Sequence, residues 1–124
     1  MQKISTENAP KAIGPYSQAI KFNNLIFTSG QIPLDAVSGE IVGATIKEQA
    51  EQTLKNLSEV LKAGGSSLDL ILKTTCFLAD MKDFAEFNAV YSKHIKNAPA
   101  RSCVAVKTLP KNVLLEVEAI AIIK

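Results

Sequence analysis

Two cysteines, Cys76 and Cys103, and one histidine, His94, are the only thiol and imidazole side chains among 124 residues. Both cysteines stand in strand-like runs without Cys-x-x-Cys spacing. They supply no closed zinc set, and they read as reduced thiols of a cytoplasmic protein. No window approaches the ~20 continuous apolar residues of a membrane-crossing helix. Behind Lys3 the N-terminus Met1-Gln2-Lys3-Ile4-Ser5-Thr6 has no long apolar stretch, so no secretion signal is expected. Charge does not lean to one sign either: 14 basic and 12 acidic residues are mixed along the chain, for a net charge of +2, and aromatics make up 6%. RNA recognition draws on a concentrated cationic groove and on stacking rings, so a nucleic-acid partner finds no support. Internal repeats and low-complexity segments are absent as well.

What remains is an ordinary globular composition, 47% hydrophobic, in a length that predicts one domain over residues 1–124. Ser17 to Phe22 and Leu25 to Ser29 are β-prone runs around Asn23-Asn24, a dipeptide tolerant of positive φ, which predicts a hairpin. Thr45-Ile46-Lys47-Glu48 has the form of a capping box. Ile46, Ala50, Leu54, Leu57 and Leu61 then recur at helical spacing until Gly64-Gly65. A strand is expected over Leu70 to Ala79. Asp80 is placed to cap a second helix with apolar positions Phe84, Phe87, Tyr91 and Ile95, ended by Pro99. Arg101 to Lys107 and Val113 to Ile123 read as a closing β-hairpin around Leu109-Pro110-Lys111-Asn112. Along the last strand, Leu115, Val117, Ala119, Ala121 and Ile123 form one apolar face for the helices to cover. Ile120 and Ile122 fall on the other face, where two helices leave them bare, so a second subunit is expected there.

Arg101 and Glu116 are the residues best suited to chemistry. A planar, permanently charged guanidinium grips a small carboxylate at two points, and a nearby glutamate orients or deprotonates a water. Read as members of one hairpin, the two share a face. Taken singly, the other candidates have bland readings. Tyr16 after Gly14-Pro15 is an edge-packed ring, and Gly30 after Ser29 is a strand terminator. Asn88 is an exposed helix residue, Cys103 a small hydrophobe, and Glu118 a solvated strand charge. His94 is expected at the end of its helix or in solvent.

Together, however, Gly14-Pro15-Tyr16-Ser17-Gln18-Ala19, Thr28-Ser29-Gly30-Gln31-Ile32-Pro33, Asn88-Ala89-Val90-Tyr91, Pro99-Ala100-Arg101-Ser102-Cys103-Val104 and Glu116-Val117-Glu118-Ala119 closely resemble the ordered motifs of the Rid family, the reactive-intermediate imine deaminases. The resemblance covers almost the whole chain, and the pair Pro-Ala-Arg-Ser with Glu-x-Glu-Ala is specific. It implies a chorismate-mutase-like α+β fold with two helices on one face of a mixed sheet, and a homotrimer around a central barrel-like core with clefts between subunits. The implied reaction is hydrolysis of small 2-imino acids to 2-keto acids and ammonia, with no metal and no organic cofactor. Arg101 would clamp the carboxylate and Glu116 would handle the water, while Tyr16, Ser29, Gly30, Asn88 and Cys103 would bind substrate. Two other readings compete: a non-catalytic carboxylate-binding or chaperone-like trimer, which has no use for Glu116, and an endoribonuclease, which the mixed charge disfavours.

Overall fold

In the computed structural model, which describes residues 1–124, the elements run β1 (Gln2–Ile4), β2 (Ala19–Phe22), β3 (Leu25–Thr28), α1 (Ile46–Ala63), β4 (Ile71–Leu78), α2 (Phe84–His94), β5 (Ala100–Ala105) and β6 (Leu115–Ile122). The strands make one sheet in the order β1-β2-β3-β6-β4-β5. All neighbours are antiparallel except β4 and β5. Both helices lie on one side of this mixed sheet, the chorismate-mutase-like α+β arrangement.

Local chemistry sets α1. The Thr45 hydroxyl accepts from the Glu48 amide at 3.2 Å, and the Glu48 carboxylate accepts from the Thr45 amide at 3.2 Å, so the expected capping box is complete. Ile46, Ala50, Leu54, Leu57 and Leu61 are all buried, and the Gly64 amide closes the helix on the Leu61 carbonyl. The β2–β3 hairpin turns at Asn23, whose φ is 53°. Leu115, Val117, Ala119 and Ala121 of β6 are buried under the helices, with Phe87 and Val90 of α2 in the same cluster. Full burial of one of the larger side chains, such as Leu115 or Phe87, contributes roughly 1.5–3 kcal/mol.

Several expectations need correction. The closing hairpin does not form. β4 lies between the last two strands, pairing parallel with β5 (Thr74 opposite Arg101) and antiparallel with β6 (Phe77 opposite Glu116). The physical reason is non-local. With one apolar face wholly buried, β6 gains most at the sheet centre, between β3 and β4, whereas β5 is short and largely exposed and so suits an edge. A helix of the length of α2 then supplies the crossover that parallel strands require. Asp80 accepts from the Lys82 amide at 2.8 Å and so caps a short 3₁₀ turn, Met81–Asp83, while α2 itself starts at Phe84 without a side-chain cap. α2 ends at His94, well before Pro99, and His94 reaches across to Glu51 of α1 at 2.6 Å instead of resting on its own helix end. Strand β1 was not anticipated; three residues are too few to show alternation.

The face opposite the helices carries Phe22, Leu25, Phe27, Ile120, Ile122, Phe77 and Val104, which the pairing register places on one side. Phe22 is 55% exposed and Phe27 39%, so an apolar sheet face is left without a cover from this chain. No helix is long and apolar enough to cross a membrane.

Candidate active site

Directly paired residues of adjacent strands project to the same side of a sheet, so the register assigns each candidate to a face. Arg101 pairs with buried Thr74 and Cys103 with buried Cys76, which puts both on the helix side. Glu116 pairs with Phe77 and Glu118 with Thr75, on the open side. Arg101 and Glu116 therefore lie on opposite faces of one protomer. The same-face expectation is wrong because it assumed that β5 and β6 were neighbours.

Each face gathers its own group. On the open side a cleft of about 650 Å³ is lined by Tyr16, Ser29, Gly30, Glu116 and Glu118, with Lys11 and Lys111 among its other walls. Gly30 is explained by contact. A β-carbon there would strike the Glu116 carboxylate, 2.7 Å from Cδ and 2.8 Å from Cγ, so only glycine lets this side chain lie across the strand end. Burial raises the Glu116 pKa above the ordinary glutamate range, and the charge of neighbouring Glu118 adds to the shift. The Ser29 hydroxyl donates to the Ser17 carbonyl at 2.6 Å, tying the strand end to the segment that presents Tyr16, a ring 51% exposed.

On the helix side Arg101 donates through Nη1 to Asn88 Oδ1 at 2.7 Å, and its guanidinium stands 4.9 Å from the Tyr91 ring centroid and 5.5 Å from that of Phe84. Tyr91 is fixed in turn by a 2.7 Å hydrogen bond between its hydroxyl and that of Thr74. No acidic side chain comes within 4 Å of Arg101; the ion pairs of the chain are Lys62–Glu59, Lys93–Glu51 and His94–Glu51. A cation oriented by two rings and an amide, with no anion beside it, is prepared to receive one. Cys103 lies two residues along the same face. Burial raises its pKa, partly offset by Arg101, and burial pushes Cys76 up to about 12, so both are neutral thiols and poor nucleophiles.

Supporting residues overlooked in the sequence are polar groups inside the apolar stripe of α1. Buried Asn56 donates to the Ile32 and Leu34 carbonyls at 2.9 Å each, Gln52 donates to Asn56 at 2.9 Å, and Gln49 accepts from the Leu114 amide at 2.8 Å while donating to the Gly43 carbonyl at 3.1 Å. They pin the loop after Gly30 and the entry to β6. Their signal was an amide at a position where helical spacing calls for an apolar residue. Glu118, read as solvated, instead lines the cleft.

The Glu116 contact makes a test. Gly30→Ala should leave the fold intact and displace the carboxylate by about an ångström, with a loss of about 100-fold in any turnover that uses it. Thermal melting and steady-state kinetics check this; wild-type rates in a folded variant would separate Glu116 from the chemistry.

A small α+β sheet with a glutamate-bearing cleft on its bare face and an unpaired arginine at its edge matches a known class of protein. The family described as Endoribonuclease L-PSP matches residues 6–123. A RutC family protein of Pyrococcus horikoshii is 54% identical over 119 residues, spanning 95% of this chain and 94% of the relative. Reactive Intermediate Deaminase A, chloroplastic, of Arabidopsis thaliana is 48% identical over 119 residues, 95% of this chain and 64% of that protein. The crystal structure of Escherichia coli TdcF with bound serine superposes with a TM-score of 0.93 at 43% identity, and each chain is covered in full. The chain belongs to the Rid family, in which deaminase activity is carried by the name of the Arabidopsis relative.

Proposed function

We propose that this protein is a single-domain, cytoplasmic homotrimer that hydrolyses small 2-imino acids, such as 2-iminopropanoate and 2-iminobutanoate formed from enamines like 2-aminoacrylate, to 2-keto acids and ammonia. It uses neither metal nor organic cofactor. The observation that carries this reading is Arg101: a guanidinium held by Asn88, Tyr91 and Phe84 with no carboxylate of its own. In the trimer, the β5 edge of one protomer meets the open-side cleft of the next. Arg101, Asn88 and Cys103 then come from one chain, and Tyr16, Ser29, Gly30 and Glu116 from its neighbour.

Arg101 grips the substrate carboxylate at two points and so fixes the adjacent C2, which as a protonated imine is already electrophilic. Glu116 takes a proton from water as the oxygen attacks C2, then gives it to nitrogen in the resulting carbinolamine. Ammonia leaves as the hydroxyl proton passes to Glu116 and the C2 carbonyl forms, and the departing ammonia takes that proton away as ammonium, which restores the carboxylate. Burial and the charge of Glu118 raise the Glu116 pKa, which strengthens the carboxylate as a proton acceptor from water. Tyr16, Ser29, Gly30 and Cys103 shape the pocket. RNA cleavage, suggested by the family description, fits less well, since Lys11 and Lys111 in the cleft are matched by Glu116 and Glu118 and form no concentrated basic groove to track a phosphate backbone. The deciding experiment generates 2-aminoacrylate freshly and follows ammonia and pyruvate with and without the protein. Acceleration supports the reading, whereas no acceleration together with RNA cleavage would replace it.

The bare sheet face supports the trimer. Ile122→Asp places a carboxylate where Leu25 and Ile122 meet the neighbouring subunit, and an unpaired buried charge is heavily penalised. Assembly and activity should fall together, which light scattering and the deaminase assay would follow across protein concentration. A fully active monomer would end the shared-site reading.

A further inference from the structure

We infer that Gln18 is the positioning residue for Tyr16, acting as a latch that closes the segment Lys11–Tyr16 into a short loop over the cleft. The residue is 3% exposed. Its Oε1 accepts from the Thr6 amide at 2.6 Å, and its Nε2 donates to the carbonyls of Pro10 at 2.8 Å, Thr6 at 3.1 Å and Ala9 at 3.3 Å. Two amide hydrogens are thus shared over three carbonyls, and every polar atom of the side chain is engaged.

The backbone of the same residue fastens the other end. The Gln18 carbonyl accepts from the Ser29 amide at 2.9 Å, and next to it the Ser17 carbonyl accepts from the Ser29 hydroxyl at 2.6 Å. One residue therefore ties the chain before Lys11 to the chain after Tyr16 and fixes both to the strand end that carries Gly30. Between the ties, no side-chain hydrogen bond or ion pair holds residues 11–16, and five of the six are exposed. Their one internal bond is the Tyr16 amide donating to the Gly14 carbonyl at 2.8 Å. With both ends held, a six-residue loop samples little space; with the Pro10 end free, Tyr16 is held from Ser17 alone and its ring meets the cleft less often. Buried polar side chains that hold loops in this way are costly to replace, because each carbonyl left behind is unsatisfied.

The inference rests on the proposed deaminase site for its kinetic consequence but not for its structural one, and the test reads the two separately. Gln18→Met keeps the length and removes all four contacts. In the variant without substrate, amide hydrogen exchange should quicken at Thr6 and Tyr16 while β4 and β6 exchange as in the wild type. With 2-iminobutanoate, kcat/KM should drop about tenfold, mostly through KM, since a wandering Tyr16 weakens capture more than chemistry. The double variant with Tyr16→Phe should be no worse than Tyr16→Phe alone, because both changes remove one placed hydroxyl; independent damage would multiply. Unchanged exchange at Thr6 and Tyr16, or multiplying losses, would overturn the inference. If Gln18→Met does not fold, wild-type exchange decides: saturating 2-oxobutanoate should slow the Thr6 and Tyr16 amides together, and slowing at neither or at Tyr16 alone overturns the latch. A wild type with no deaminase activity would remove the proposed reaction, while the exchange result in the unliganded variant would still decide the latch.

Discussion

Arg101→Ala is expected to abolish useful deamination while leaving a folded protein. Two charge-assisted hydrogen bonds to a carboxylate contribute roughly 1.5–3 kcal/mol each, so their loss corresponds to about 10²–10⁴ in kcat/KM. The fold has little stake in the side chain. Arg101 is half-buried on an edge strand, and what it gives up is contact with the Tyr91 and Phe84 rings and one bond to Asn88, a cost of about 1–3 kcal/mol. Arg101→Lys should restore little, because one ammonium reproduces neither the planar two-point grip nor the stacking on two rings. Asn88→Ala should fall between, since it loosens the guanidinium without removing it. Melting curves and steady-state kinetics on 2-iminobutanoate check the series. Near-native turnover by Arg101→Ala would take Arg101 out of the site.

What was legible in the sequence was local. The start of α1 could be read because Thr45 and Glu48 satisfy each other within one turn, and its buried face because Ile46, Leu54 and Leu61 recur at the helical period. The buried face of β6 was equally plain, since alternation along one strand needs no partner. Which strands pair was not legible. The turn-like Leu109 to Asn112 segment suggests a hairpin; it is a tight turn in which Lys111 and Asn112 take φ of 55° and 56°, and it lets β6 pass over to the far side of β4. That misreading propagated into the site. Alternation tells which residues of a strand share a face, but two strands can be compared only once their pairing is known. Residue type singled out Arg101 and Glu116, and the assumed hairpin wrongly placed them on one face. The amides Gln18, Gln49 and Asn56 were missed for a related reason: a buried glutamine or asparagine declares its role only when the carbonyls it serves, up to 24 residues away, have folded against it.

Glu116→Gln should lower turnover by about 10²–10⁴ while carboxylate binding persists, because an amide still holds water but does not accept its proton. The same change should stabilise the protein, and the pH dependence has a definite sign. In the folded state Glu116 titrates above its unfolded value, so its ionisation costs stability once pH exceeds the ordinary glutamate pKa of about 4.3. Glutamine removes that cost. The gain in melting temperature should be absent in acid, grow as pH rises through the folded-state pKa and then level off. In the wild type, turnover should rise with pH over the same window, and the rise should vanish in the variant. The opposite-face geometry adds a sharper expectation. Arg101→Ala chains keep Glu116, and Glu116→Gln chains keep Arg101, so a mixed trimer contains some clefts with both groups intact. After unfolding and refolding a 1:1 mixture, random assembly gives about one intact cleft in four, hence about a quarter of wild-type activity from two nearly inactive proteins. If each protomer furnished both groups to its own site, no mixture would regain activity, and a flat result with verified mixed trimers would show that the arginine and the glutamate do not meet across subunits.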